Sequence, residues 1–338
     1  MKIAIHHRKG SFSERWVEYC QQHGIEYKLV NVYQPDIIEQ VKGCNGFMWH
    51  HHHADYKDAL FAKQLIYSLE TAGIRCFPNA HTTWHFDDKV GQKYLLESVG
   101  APLVPSYVFY TKKDALEWVR HTDFPKVFKL RGGAGSYNVA LVPNKKNAVR
   151  LVKTAFGKGF ALKYRTTSIK EHIRTWREGR TSIFQTLKSI AALYILPHPN
   201  VKMSHREKGY VYFQDYIPNN TYDIRICVVG DKAFGLKRLT REKDFRASGS
   251  GHIVYDKSQI DERCVQIAFE TSKKLKTLSL AYDFVFNEGN KPLIVEISYA
   301  YAMKAYDKCE GYWDSMMIWH AGEGFDFCGW MVAGLINP

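Results

Sequence analysis

Short apolar runs and amphipathic stretches alternate along residues 1–80 of the chain. The apolar runs that predict strands are residues 2–6, 27–32, 46–49 and 74–77. The stretches with helical spacing between them are residues 13–23, 36–42 and 56–72. Strands that alternate with helices, with glycine as a stop signal, are typical of a parallel α/β layer. We therefore expect residues 1–80 to form an N-terminal parallel α/β domain.

The remainder of the chain mixes helical and strand patterns in a different order. Helices are predicted at residues 84–100, 113–121, 148–156, 169–177, 182–192 and 261–278. Strands are predicted at residues 107–110, 211–216, 222–229, 233–240, 283–287 and 293–297. The last two strands are joined by a short turn, Glu288-Gly289-Asn290, and are expected to form a hairpin. The predicted fold class is therefore mixed α/β.

Length and composition narrow the class of protein. A chain of 338 residues predicts two or three structural units. Its hydrophobic content of 45% and charged content of 24% are ordinary for a globular protein. No apolar run approaches the roughly 20 residues of a membrane span, and the N-terminus turns polar too early for a signal peptide. Seven scattered cysteines without zinc-site spacing favour reduced thiols and a cytoplasmic location.

The positive charge of the chain is concentrated in one segment. The net charge is +13, and residues 144–208 contain 15 Lys and Arg against three glutamates, an excess of 12. Such an excess favours an anionic partner, although solvated helix faces are the ordinary alternative. Three arginines at a spacing of three residues are expected to share one helix face and to bind the substrate: Arg174, Arg177 and Arg180.

A glycine-rich loop follows a predicted strand that ends near Lys129. The loop contains Gly132, Gly133, Gly135 and Ser136. Glycines allow backbone N–H groups to approach phosphates closely, and a nearby lysine supplies a cation. The loop lacks Gly-Lys-Ser/Thr, which excludes a P-loop mechanism. A plain hairpin turn is an equally good interpretation of the loop alone.

Two carboxylates lie inside apolar runs on the last predicted hairpin. Asp283 is followed by Phe-Val-Phe, and Glu296 is preceded by Leu-Ile-Val. A carboxylate is almost never buried without a partner, and Mg²⁺ that bridges nucleotide phosphates is a natural one. The alternative is that strand alternation places both carboxylates on a solvated face.

In this order the motifs resemble the ATP-grasp superfamily, nearest the branch that contains glutathione synthetase and the ribosomal-protein glutamate ligases. The resemblance covers about residues 80–300, and its motifs are Asp88-Lys89, Lys129, the glycine loop, residues 214–217, residues 223–225, residues 244–246, Asp283 and Glu296. It implies a two-lobed ATP-grasp module of residues 81–143 and 209–300. The remaining segments would be a basic helical insertion over 144–208 and a C-terminal helical tail over 301–338.

The resemblance also implies ATP and Mg²⁺ as cofactors and assigns roles to individual residues. Lys89, Lys129 and the glycine loop would contact the phosphates, and Asp223 would hold the ribose. The strand that pairs with adenine would be Gln214, Asp215, Tyr216 and Ile217. Two arginines would neutralise the transferred phosphoryl group, Arg225 and Arg246. The ligands of Mg²⁺ would be Asp283, Glu296 and Ser298, where serine replaces the asparagine that is usual in the family.

Four consecutive histidines, residues 50–53, follow the third predicted strand. Neighbouring residues of a strand point to opposite faces, so the four cannot converge on one ion. Either His50 and His52 or His51 and His53 could share a face at the carboxyl end of the strand, where α/β sheets bind ligands. A contact to substrate is therefore expected, with His50 and His52 as the candidates, and a zinc site and a surface loop are the alternatives.

The resemblance implies an ATP-dependent carboxylate–amine ligase that forms an amide through an acyl-phosphate and releases ADP and phosphate. The basic segment favours an anionic acceptor, such as an acidic sugar, a surface glycan in polysaccharide biosynthesis or an acidic peptide. The alternative is a polyanion- or nucleic-acid-binding protein with a degenerate nucleotide site. Nucleic acid is the less favoured partner, and a homodimer is an open alternative to a monomer.

Overall fold

A computed structural model of the chain describes residues 1–53, 55–132, 138–160, 173, 176, 181–195, 206–240, 252–322 and 324–337. The chain divides into two compact units. Unit 1 consists of Met1–His52, Lys57–Val104 and Ile217–Pro338. Unit 2 consists of His53–Tyr56 and Pro105–Tyr216. The domain boundaries expected from the sequence stay a prediction.

The N-terminal part of the chain contains a parallel sheet. Its elements are β1 (Ile3–His6), α1 (Phe12–Gln22), β2 (Tyr27–Val30), α2 (Ile37–Val41), β3 (Gly46–Trp49), α3 (Tyr56–Thr71) and β4 (Arg75–Phe77). The strand order is β2-β1-β3-β4, and all pairs are parallel. Every side chain of β1 and β3 is buried, as expected for central strands covered on both faces. The predicted parallel layer is confirmed.

Two helices follow β4, and only the second lies within the range 84–100 for which the sequence predicts a helix. They are α4 (Ala80–Thr83) and α5 (Lys89–Ser98). The predicted start at residue 84 is wrong because Asp87 has a left-handed φ of 54°, which is incompatible with an α-helix, so the helix begins only after it. Asp88 then caps α5, since its side chain accepts a hydrogen bond from Gly91 N at 2.9 Å. This start places Lys89 at the first position of the helix.

Unit 2 is built on an antiparallel sheet. Its elements are β5 (Ser106–Phe109), α6 (Lys112–His121), β6 (Lys126–Lys129), β7 (Val139–Val142), α7 (Lys145–Ala155), α8 (Ile183–Ile195) and β8 (Val211–Asp215). The strand order is β5-β8-β6-β7. Phe128 and Phe213 from the sheet pack with Ala148 and Val152 of α7 in the core of this unit. The predicted helix over 169–177 falls mostly outside the described residues.

The second part of unit 1 is a larger sheet that carries the candidate site. Its elements are β9 (Tyr222–Val229), β10 (Lys232–Leu239), β11 (Ile253–Val254), α9 (Glu262–Leu275), β12 (Ser279–Phe286), β13 (Pro292–Ser298), β14 (Gly311–Asp314), β15 (Trp319–Ala321) and α10 (Phe327–Ile336). The order is β13-β12-β9-β10-β14-β15, and β11 pairs with β10. The predicted hairpin of β12 and β13 is antiparallel, as expected.

The last part of the chain differs from the expected helical tail over 301–338. Strands β14 and β15 extend the sheet before α10 begins. Trp313 of β14 is fully buried and packs edge-on against Trp319 of β15, with ring centroids 4.5 Å apart. Packing of these large aromatic side chains stabilises the strands, and among the described residues of this tail only 327–336 form an α-helix. None of the helices within the described ranges is long and apolar enough to cross a membrane.

Candidate active site

Three charged side chains stand side by side on the large sheet of unit 1. The register pairs Asp283 of β12 with Glu296 of β13 and also with Arg225 of β9. Residues directly opposite on neighbouring strands project from one face of a sheet, so the three form a row. Asp223, two residues before Arg225, lies opposite Arg238 of β10 and projects from the same face. One face of the sheet therefore brings together four of the predicted site residues.

The side chains of this row form a continuous charged network. Arg225 donates from Nε to Asp283 Oδ1 at 2.5 Å and from Nη2 to Oδ2 at 2.6 Å. Arg238 Nη2 lies 3.0 Å from Asp283 Oδ2. The same guanidinium donates to both oxygens of Asp223, at 2.7 and 2.6 Å. Two-pronged arginine–carboxylate pairs combine strength with a fixed geometry, so the network holds each carboxylate in place.

Burial makes these charges depend on one another. The side chains of Asp283 and Arg238 are only 12% and 9% exposed. Burial alone would raise the pKa of Asp283, but Arg225 and Arg238 outweigh it, and the pKa falls below its usual value. The pKa of Asp223 is raised, because burial dominates over its contact with Arg238. Asp283 is therefore the carboxylate that the network holds most firmly in the ionised form.

A buried lysine of α5 adds a further cation to the charged network. Lys89 Nζ lies 3.1 Å from Glu296 Oε1, and the lysine side chain is only 4% exposed. Burial would lower the pKa of Lys89, but Glu296 and Asp87 raise it above its usual value. The helix start at Lys89 is what directs this side chain toward β13. The site thus contains three cations and three carboxylates within one unit.

A β-bulge adjusts the position of Glu296. The pairing of β12 with β13 shifts between Asp283 and Phe284, so that Val295 is an extra residue on β13. Bulges bend a strand and re-aim the neighbouring side chains, and they are common beside active sites. Without the extra residue, Glu296 would not lie opposite Asp283. The bulge therefore contributes directly to the pairing of the two carboxylates.

Ser298, the third predicted metal ligand, lies two residues beyond Glu296 and opposite Ala281. Its hydroxyl donates a hydrogen bond to Ala300 O at 3.1 Å. The hydroxyl oxygen retains acceptor capacity for a cation. Within the described ranges, no cluster of three or more histidine, cysteine, aspartate or glutamate residues has the geometry of a metal site. The two facing carboxylates nevertheless provide the hard oxygen donors that Mg²⁺ prefers.

The predicted nucleotide-binding residues of unit 2 lie on the central strands of its sheet. Lys129 is the last residue of β6 and is 4% exposed. Gln214 has partners on both sides of β8, and Asp215 donates its N–H to Pro105 O at 2.8 Å. Lys126 Nζ also donates to Asp215 Oδ1 at 2.7 Å.

The backbones of Gln214 and Asp215 are thus engaged within the sheet, and Tyr216 and Ile217 follow its end. The roles expected for all four residues with adenine stay predictions. Gly132 accepts a hydrogen bond at its carbonyl from Asn138 Nδ2 at 3.4 Å. The other predicted residues of the glycine loop and of the arginine sets lie outside the described residues: Gly133, Gly135, Ser136, Arg174, Arg177, Arg180 and Arg246.

The two histidines expected to contact substrate lie at the carboxyl edge of the parallel sheet. His50 is buried, its ring stacks on Phe12 with centroids 3.9 Å apart, and its Nδ1 accepts from Phe12 N at 3.1 Å. Burial lowers the pKa of His50 well below its usual value. The backbone N–H of His52 donates to Asp58 Oδ2 at 2.7 Å. His50 is therefore a packed, neutral side chain, and the substrate contacts of both histidines stay predictions.

Arg238 is the member of the network that the sequence motifs do not include. Its position follows from the β9–β10 hairpin, in which the two residues Gly230 and Asp231 separate the strands. Gly230 has a φ of 61°, which favours glycine at such a turn. Counting outward from Val229 opposite Lys232 places Arg238 opposite Asp223. The signal was present in the sequence as a two-residue turn between two apolar strands.

Comparison with known proteins identifies the fold. Residues 200–313 match the RimK-like ATP-grasp domain family. The structure resembles a RimK domain ATP-grasp protein from Sphaerobacter thermophilus, with a TM-score of 0.58, 15% identity and 100% of both chains covered. It also resembles the ATP complex of D-alanine–D-alanine ligase from Bacillus anthracis, with a TM-score of 0.53, 13% identity and 91% of each chain covered. D-cycloserine synthetase gives a TM-score of 0.59 at 12% identity, with 100% of this chain and 99% of that chain covered.

No curated protein sequence matches the chain. At these identities the structural likeness shows the fold, while the family match covers the strands that carry the charged network. The mixed α/β fold class is confirmed. The expected resemblance to the ATP-grasp superfamily is therefore confirmed for residues 200–313, which match the RimK-like ATP-grasp domain family, and the chain is similar in fold to ATP-grasp proteins.

Proposed function

We propose that the protein is an ATP-dependent carboxylate–amine ligase. A substrate carboxylate attacks the γ-phosphate of ATP, which gives an acyl-phosphate and ADP, and an amine then displaces phosphate to form an amide. The observation that carries this proposal is the buried network of Asp283 and Glu296 with Arg225, Arg238 and Lys89. It lies mainly on strands of the RimK-like ATP-grasp domain.

The carboxylates of Asp283 and Glu296, with the hydroxyl of Ser298, would hold Mg²⁺. The low pKa of Asp283 supports this role, because an ionised carboxylate is the form that binds a cation. When bound, the ion would neutralise the negative charge that nucleotide phosphates bring to the site. The β-bulge and the flanking arginine pairs keep the two carboxylates opposed before any ligand arrives.

The cations of the network would stabilise the transferred phosphoryl group. Arg225 was expected in this role together with Arg246, and Arg238 is the further cation that the geometry supplies. Each carboxylate oxygen of Asp223 keeps a lone pair beyond its bond to Arg238, so ribose hydroxyls can still donate to it. Lys129, the glycine loop, Tyr216 and Ile217 would bind the remainder of the nucleotide. Catalysis would depend mainly on positioning and charge neutralisation.

We propose that the acceptor is anionic and that the reaction takes place in the cytoplasm. The excess of 12 positive charges over residues 144–208 supports an acidic sugar, a surface glycan or an acidic peptide as the carboxylate or its carrier. A polysaccharide pathway is the context in which such an acceptor is most readily supplied.

The proposal is tested by trapping the activated carboxylate. The protein is incubated with ATP, Mg²⁺ and a panel of acidic sugars and peptides, and hydroxylamine replaces the amine. An acyl-phosphate gives a hydroxamate, with one ADP released for each hydroxamate formed. Glu296→Gln should lose most of this signal while circular dichroism shows an intact fold, because it removes one proposed metal ligand.

Glu288→Gln is the matched control for the charge change. Glu288 lies exposed in the turn between β12 and β13 and should retain wild-type turnover. Formation of AMP and pyrophosphate would show that the carboxylate is activated by adenylation, which contradicts the acyl-phosphate route. Wild-type turnover by Glu296→Gln would exclude the assigned role of Glu296. Salt-sensitive binding of nucleic acid without any ATP turnover would favour the alternative of a polyanion-binding protein.

A further inference from the structure

A groove on the outer side of α7 collects positive charge in unit 2. It is shallow and largely open to solvent, has a volume of about 560 Å³, and its described lining residues are Lys146, Val149, Arg150, Lys153, Thr154 and Lys158. Four of these six residues are cations, and all four are exposed. None of the residues belongs to the charged network of unit 1. The groove therefore requires an explanation of its own.

The sequence of α7 separates an apolar face from a charged one. Ala148, Val152 and Ala155 are fully buried in the core of unit 2. Lys146, Arg150 and Lys153 are spaced by four and then three residues, which places them along one face of the helix. At about 1.5 Å of rise per residue, the three cations extend over roughly 10 Å of the helix axis. They form a stripe rather than a single point of charge.

Lys158 is held beside this stripe by the backbone that carries it. Arg206 donates from Nε to Lys158 O at 2.5 Å and from Nη2 to Gly159 O at 2.7 Å. Phe160 also forms a β-bridge with Glu207, so the segment after α7 is fixed at two successive points. The charge of Lys158 consequently extends the stripe beyond the end of the helix.

Within the described part of the chain, no acidic side chain forms an ion pair with any of these four cations. The two described glutamates closest in sequence to the segment are engaged elsewhere. Glu117 pairs with Arg120, and Glu207 accepts from Tyr210 at 2.8 Å. The four like charges repel one another, so an anion that bridges several of them would relieve that repulsion.

The lining of the groove distinguishes between classes of anion. None of the six lining residues that the structure describes is aromatic. Proteins that bind single-stranded nucleic acid combine a basic groove with aromatic side chains on which bases stack, and sugar rings likewise pack on aromatic faces. The described lining thus offers charge without an aromatic surface, which suits a polymer without rings. Lysine acts on phosphate as a point charge, and arginine binds it with a two-pronged geometry.

We propose that the α7 groove is a binding site for a linear chain of repeating phosphate groups. The phosphates lie along Lys146, Arg150, Lys153 and Lys158, and the chain is recognised by charge alone. This site goes beyond the ligase reaction, since it uses none of the residues proposed for ATP or Mg²⁺. On this proposal, part of the positive charge of residues 144–208 binds a polymer and not the reacting carboxylate.

The experiment measures binding of short linear inorganic polyphosphate by fluorescence anisotropy. Saturating ADP and Mg²⁺ are present so that the probe cannot report on the nucleotide site. The test variant changes the four groove cations to glutamine: Lys146→Gln, Arg150→Gln, Lys153→Gln and Lys158→Gln. The matched control removes four exposed lysines of unit 1: Lys273→Gln, Lys291→Gln, Lys304→Gln and Lys308→Gln.

The test variant should bind polyphosphate about tenfold or more weakly, and its affinity should depend less steeply on salt, because fewer counterions are released. The control should bind like the wild type. Circular dichroism and thermal unfolding verify that both variants fold. A double variant in which only Lys146 and Lys153 are changed to glutamine should show a smaller loss of polyphosphate affinity.

Three results would overturn the proposal. Unchanged affinity in the test variant would show that the groove is a solvated surface. Equal losses in the test and control variants would show that only net charge matters. Single-stranded DNA of equal charge that binds more tightly than polyphosphate, with the same dependence on the groove cations, would show that the class of polymer is wrong.

Discussion

Replacing Asp283 by asparagine tests whether the charged network stabilises unit 1. The substitution keeps the size of the side chain and removes the charge that Arg225 and Arg238 share. Three contacts of 2.5, 2.6 and 3.0 Å are weakened at a side chain that is 12% exposed. Breaking a buried ion pair by removing one partner costs about 3–5 kcal/mol, because the remaining charge is left without compensation. We expect a loss of that size in the free energy of unfolding.

Urea denaturation without nucleotide, followed by tryptophan fluorescence, measures this loss. The midpoint should fall by about 1 M or more if unfolding is described by a slope of ~3 kcal/mol per M. Glu117→Gln is the control, because Glu117 is 56% exposed and its pairs with Arg120 and His121 lie at the surface. Exposed pairs contribute little, so its midpoint should match the wild type. Equal midpoints for Asp283→Asn and the wild type would refute the reasoning.

The same variant predicts a change in acid sensitivity. An aspartate has a pKa of about 3.9 in the unfolded chain, and the arginines lower the pKa of Asp283 in the folded state. Its stabilising contribution is therefore complete above about pH 4 and is lost as pH falls further toward the folded pKa. The stability of Asp283→Asn should fall less steeply than that of the wild type below pH 4. Parallel curves in that range would contradict the assignment.

Three further predictions concern the proposed substrates and the packing of unit 1. Lys89→Met should raise the KM for ATP about tenfold or more, since it removes a buried cation beside Glu296, and steady-state kinetics measure it. In a triple variant, Arg174, Arg177 and Arg180 of the basic segment are changed to glutamate. This variant should have a higher KM for the acceptor and a weaker salt dependence of that KM, while its affinity for ATP should be unchanged. Burial lowers the pKa of His85 to about 4, so stability should fall between pH 6.5 and 4 as the unfolded state binds the proton first. His85→Phe should flatten that part of the pH profile in thermal unfolding.

Local sequence rules predict much of the sheet that carries the site. Apolar runs locate β12 and β13, and the short turn between them makes their antiparallel pairing predictable. The two-residue turn at Gly230 and Asp231 similarly determines the register of β9 and β10. These features depend on residues that are close in the sequence, so propensity and turn chemistry are sufficient. The cross-strand pair of Asp223 and Arg238 follows from the second turn.

Other parts of the site depend on contacts between distant segments. The salt bridge of Lys89 with Glu296 joins α5 to β13, and no local pattern specifies that packing. The bulge at Val295 lies within an uninterrupted apolar run that gives no sign of an extra residue. Strand β14 also has no strong local signal, because Trp313 becomes favourable in a strand only once it is buried. These features depend on tertiary packing, which cannot be predicted from the sequence of any one segment.

The central claim is that the protein joins a carboxylate to an amine through an acyl-phosphate. The most direct measurement uses the carboxylate identified by the trapping screen, labelled with ¹⁸O in its carboxyl group, together with ATP, Mg²⁺ and the amine. Mass spectrometry then locates the label in the products. The account predicts ADP as the nucleotide product, with one ¹⁸O atom transferred to inorganic phosphate for each amide formed. Label in AMP, or phosphate free of label, would contradict it.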